Sequence, residues 1–145
     1  MNSNAKSILT FNGYEVRKIS FSMRETDLKE NETIDVNPSF MRDIHETEKN
    51  NFVVSLGVNI GREPESKMPF SVEIIISGYF TLKEDEAHAD ILIKQNATAI
   101  LFPYLRSTLT SVTANANVNP VFLPAMNIAN LFEESEEKEK TGSTQ

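Results

Sequence analysis

Apolar positions in this chain fall into two periods, first of two and then of three to four. Ile19, Phe21 and Met23 alternate with Ser20 and Ser22, which predicts a strand over Ile8–Met23. Tyr14 and Val16 are in the opposite phase, and a bulge near Arg17–Lys18 reconciles the two halves. Phe52, Val54, Leu56, Val58 and Ile60 alternate most cleanly, and Phe70, Val72, Ile74, Ile76, Phe80 and Leu82 repeat the pattern over Pro69–Leu82. Ile75 and Tyr79 lie on the other face of that strand, so either a bulge falls at Ser77–Gly78 or the second face is partly covered. Between the first two strands, Ile34, Val36, Phe40 and Ile44 have strand character. Pro38 makes Thr33–Glu46 an edge strand or a broken one.

The period then changes. Ile100, Leu101, Tyr104, Leu105, Thr108, Leu109 and Val112 recur at three- and four-residue spacings, the mark of one helix face. Acidic residues at Glu84–Glu86 suit a helix N-terminus. A helix from there to about Ala114 is long for a small domain, and Pro103 predicts a kink in it. At its rise of 1.5 Å per residue, such a helix exceeds ~40 Å and overhangs a small sheet, which favours a contact between copies of the chain. Asn115–Asn119 stop the helix, since Asn tolerates left-handed angles. An extended apolar run held by Pro120 and Pro124 follows, and Asn127 caps a short last helix carrying Ile128, Leu131 and Phe132. Strands first and helices last predict an α+β domain: a four-stranded antiparallel sheet with a long kinked helix and a short C-terminal helix on one face. The domain spans 1–132, and the acidic stretch 133–145 reads as a solvated, disordered tail.

Composition narrows the function classes. A chain of 145 residues supports one domain with a real core. It contains no cysteine, which removes disulfides, thiol nucleophiles and Cys-ligated zinc and fits a cytoplasmic setting. A formal charge of −7 argues against nucleic acid as partner. No stretch approaches the ~20 apolar residues of a membrane span, and no apolar segment follows the polar N-terminus as in a signal peptide. His45 and His88 lack partners at metal-binding spacing, Gly57 and Gly61 do not lead into a helix as a phosphate loop does, and no G-x-S-x-G elbow occurs. The reading is of a protein that is not an enzyme and uses no cofactor.

The segment I-L-F-P-Y-L-R at Ile100–Arg106, then a turn, then P-V-F-L-P-A-M-N, then L-F, resembles the SecB family of protein-export chaperones. Its most specific part is the I-L-F-P-Y-x-R heptapeptide. The resemblance implies an ATP-independent holdase for unfolded polypeptides, assembled as a homotetramer, a dimer of dimers, through the long helix. Ile100, Leu101, Tyr104, Leu105 and Thr108 are then divided between the sheet and the partner helix. It implies an apolar peptide groove between the sheet, the last helix and the loop before it. Candidates by position are Ile34, Val36, Phe40, Ile75, Tyr79, Met126, Leu131 and Phe132, with Met41 and Met68 as further adaptable wall.

Export members of the family carry acidic residues on the first strand that help dock the basic tail of the SecA motor. Here Lys18 and Ser22 occupy those places, and only Glu73 matches a third acidic position. The turn N-A-N-V-N-P also replaces the family's Gly/Pro turn. Other members protect an antitoxin in toxin–antitoxin systems, so clients of either kind, preproteins or an antitoxin, are implied.

Overall fold

The computed structural model describes residues 8–26, 32–83 and 89–133. Four strands, β1 (Leu9–Met23), β2 (Ser39–Glu48), β3 (Asn51–Ile60) and β4 (Phe70–Leu82), form one antiparallel sheet in the order β1-β4-β3-β2. β2 settles the ambiguous stretch. Pro38 stands immediately ahead of it, where a missing N–H costs no ladder bond, and the strand then runs along the sheet edge with one irregularity, between Glu46 and Glu48. Ile34 and Val36 are left outside it, in an extended segment. β2 and β3 are joined by a tight turn at Lys49–Asn50. Asn50 adopts φ 67°, and its N–H donates to the Glu46 carboxylate at 3.3 Å.

The expected bulge in β1 is present: pairing steps from Val16↔Ile76 to Lys18↔Ile75, leaving Arg17 unpaired. A second irregularity was not legible in the pattern. Pairing passes from Phe11↔Phe80 to Tyr14↔Gly78, with Gly13 at φ 111° supplying an angle other residues avoid. β4 itself has no bulge at Ser77–Gly78, since its register against β3 is continuous. The second face is instead partly covered. Ser77 is buried and shares a hydrogen bond with Ser55 at 2.7 Å. The Tyr79 hydroxyl donates to Glu15 at 3.0 Å and accepts from Arg17 at 2.8 Å.

Among the described residues, helical backbone runs through α1 (Ala89–Ile91) and a π-helical turn (Leu92–Ala97) into α2 (Thr98–Asn115), with helical dihedrals at both junctions. The expected start at Glu84–Glu86 lies outside the described residues. Pro103 sits inside α2. The stop is a Schellman motif: Asn117 takes φ 63°, its N–H bonds Ala114 O at 3.1 Å, and Val118 N–H bonds Thr113 O at 3.4 Å. Asn therefore does here what Gly does in most such turns. A short helix, α3, covers residues 128–133, and Asn127 Oδ1 accepts from Asn130 N–H at 3.2 Å as its cap.

The core lies between α2 and one face of β3 and β4. Leu101, Leu105 and Leu109 are fully buried against Val54, Leu56, Ile74 and Ile76. β1 is covered less: Val16, Ile19 and Met23, on the same face of the sheet, are exposed.

Candidate peptide-binding trough

Two extended segments that belong to neither sheet nor helix, residues 32–38 and 118–124, line a trough of about 570 Å³ with Met68, Pro69 and Phe70 between them. Its lining is mainly apolar, including Ile34, Val36, Pro38, Val118 and Val121. That is the size and character of a ligand cleft.

The second segment is held by side chains of α2. Thr110 Oγ1 donates to Val121 O at 2.7 Å, Val121 N–H donates to Thr113 Oγ1 at 2.9 Å, and Arg106 Nε donates to Leu123 O at 2.9 Å. Val121 and Leu123 are thereby pinned with their side chains buried. Phe122, pointing the other way, is 74% exposed at the trough. The first segment is anchored by Ile34 against the core and by a Lys67–Glu32 ion pair of 3.6 Å.

Ile34 and Val36 are the sequence candidates that line this trough, joined by Met68. Phe40 packs edge-on against Phe102, with ring centroids 6.2 Å apart. Met126 and Leu131 are exposed and do not line the trough. Phe132 lies under the Arg42 guanidinium, 4.7 Å from its ring centroid, and Arg42 also donates to Lys94 O in the π-helical turn at 3.0 Å. Ile75, Tyr79 and Met41 are on the opposite face of the sheet, in phase with Glu73. Sequence reasoning missed Phe70, Val121 and Phe122 as lining residues. The signal available for the last two was P-V-F-L-P itself, apolar throughout yet bracketed by prolines that bar it from a sheet.

The residues expected at an oligomer contact divide by face. Leu101 and Leu105 are wholly inside the protomer. Ile100 and Thr108 are half-buried, and Tyr104 is partly exposed with its ring stacked on Tyr14 at 4.4 Å.

Glu73 is occupied. Lys18 Nζ bonds one carboxylate oxygen, and Arg62 Nη1 is 3.7 Å from the other. The hydrogen bond from Lys18, with smaller help from Asn59 and Arg62, holds its pKa below the ordinary value against the opposing effect of desolvation. Among the described residues no cluster of three or more His, Asp or Glu is placed to hold a metal, and no helix is long and apolar enough to cross a membrane.

An open four-stranded sheet with a long helix on one face is the fold of the SecB-like chaperones. A SecB-like chaperone of Mycobacterium tuberculosis, solved with a peptide from the HigA1 antitoxin, superposes with a TM-score of 0.65 over 81% of this chain and 90% of that one, at 13% identity. The chain belongs to the SecB family: residues 2–139 match the family described as preprotein translocase subunit SecB. It is 31% identical to an uncharacterized protein of Methanocaldococcus jannaschii, with 97% of each chain covered. It is 25% identical to the protein-export protein SecB of Acidithiobacillus ferrooxidans, over 90% of this chain and 91% of that one.

Proposed function

We propose that this protein is an ATP-independent holdase that binds extended, non-native polypeptide in the trough, acting in the cytoplasm on preproteins as export chaperones of its family do. The observation that carries the reading is the trough itself. An apolar floor between two extended walls suits a client that exposes apolar side chains on an extended backbone. The chemistry is reversible burial, with no bond made or broken, so neither cofactor nor nucleotide is needed. The purified chain is expected to slow aggregation of a chemically unfolded client at stoichiometric ratio without nucleotide, and Val36→Asp is expected to weaken that protection. Aggregation that proceeds unchanged at an excess of chaperone would sink the reading.

A second reading, an antitoxin as client in place of SecA-directed export, draws support from the pairing of Glu73. With Lys18 and Arg62 on the one acidic residue retained at the docking face, little negative charge is left for a basic tail. Exposed charge pairs contribute about 0–1 kcal/mol each, so the loss of two acids and the gain of a Lys lowers affinity by roughly tenfold or more. Binding to a SecA tail peptide is therefore expected to be weak and salt-sensitive, and Lys18→Asp with Ser22→Glu is expected to strengthen it in titration calorimetry. Tight binding by the unaltered chain removes this second reading.

A further inference from the structure

The trough wall has a main-chain feature that its apolar lining does not explain. In an extended segment the N–H and C=O of successive residues point to opposite sides. Val121 turns both groups toward α2, where Thr110 and Thr113 meet them, and Leu123 O follows suit toward Arg106. The alternate residues, Pro120, Phe122 and Pro124, therefore turn their main chains away from α2, on the side of the trough. The two prolines have no N–H. Leu123 N–H also lacks a partner among the described residues, but its carbonyl is held by Arg106. Among the non-proline residues of 120–124, Phe122 alone has both its N–H and its carbonyl without a hydrogen-bond partner among the described residues.

The opposite wall is similar. Residues 32–37 also make no main-chain hydrogen bond among the described residues.

We infer that Phe122 is a one-residue docking edge: its N–H and C=O pair with the backbone of an extended client segment, as one rung of a β-ladder, while its exposed ring covers the client. This rests on the trough being the peptide site and says how that site recognises peptide. Main-chain pairing asks nothing of client sequence. The flanking prolines confine the pairing to one rung, and an edge that cannot propagate a ladder cannot template the strand addition that drives aggregation. Phe122 so combines unselective capture with easy release.

The test separates this edge from the trough as a whole. The probe is a fluorescent synthetic 12-residue peptide of Thr with a single Val-Phe-Val at its centre to fix the register and a Lys at each end, scanned by single N-methyl groups. The protein is the full chain, either unaltered or with Phe122 replaced by its α-hydroxy analogue, which keeps the ring and turns the donor N–H into an ester oxygen. Equal thermal melts of the two forms check the fold. The unaltered chain is expected to bind, with N-methylation costing affinity at a single position only. The ester form is expected to bind about three- to tenfold more weakly, the worth of one hydrogen bond. Equal binding by the ester form, or a flat N-methyl profile, overturns the docking edge and leaves the holdase reading standing. Failure of the unaltered chain to bind the peptide at all overturns both.

Discussion

Gly78 lies directly beneath Leu101: a Cβ at position 78 would stand 2.5 Å from Leu101 Cδ2 and 2.9 Å from Phe80 Cε2. The long helix reaches the sheet at the one point on β4 where the inward-facing residue has no side chain. Leu101 is fully buried and has nowhere to retreat. Gly78→Ala is therefore expected to destabilise the protein by about 1–3 kcal/mol, the usual cost of overpacking. That corresponds to a melting temperature lower by roughly 3–10 °C at this chain length. Gly57→Ala is the control. Its Cβ meets the Met41 Cγ at 2.7 Å, but that side chain is flexible and partly exposed, so it can swing aside. Thermal unfolding of the two variants should show the larger loss at Gly78, and equal melting temperatures would refute the close approach.

Acid should weaken the sheet at Glu73. Its pKa is lowered from 4.5, first by the hydrogen bond from Lys18. A carboxylate depressed on folding contributes stability that is present above its unfolded pKa and is lost as pH falls through the lower folded value. The expected window is thus below pH 4.5. In an NMR titration the Glu73 carboxyl should move toward its ordinary value in Lys18→Ala, and acid unfolding should depend less on pH in that window. An unchanged Glu73 titration would show that Lys18 does not hold the charge.

Assembly should depend on the outer residues of α2 and on β1, not on Leu105. Tyr104 and Ile19 are 37% and 51% exposed, whereas Leu105 is fully buried in its own protomer. We expect a tetramer by light scattering. Tyr104→Glu or Ile19→Glu should shift it to smaller species that keep their circular dichroism. Leu105→Glu should unfold the chain, because an unpaired buried carboxylate costs several kcal/mol, comparable with the stability of a small domain. A monomer at micromolar concentration would remove the expectation.

Sequence pattern and local residue chemistry determined a great deal about this protein: three of the four strands, the long helix and the short one after it, the bulge at Arg17, the Asn stop and the Asn127 cap. Each of these rests on contacts between residues close in sequence or on the phase of a strand, and such information is local. Tertiary structure decided the rest. Whether Pro38 broke β2 or preceded it depended on which strand lies beside it. The continuous β3–β4 register put Ile75 and Tyr79 on the face away from the helix, which a one-strand pattern does not specify. Leu105 belongs to the core and Tyr104 to the surface because α2 lies over β3 and β4, a rotation that an apolar stripe wide enough for two partners does not specify. The trough needed the fold most of all. Its walls, 32–38 and 118–124, are distant in sequence and each reads as an irregular loop. They become one site only when β2, β4 and α2 close the core between them and leave a strip of apolar floor that no element covers.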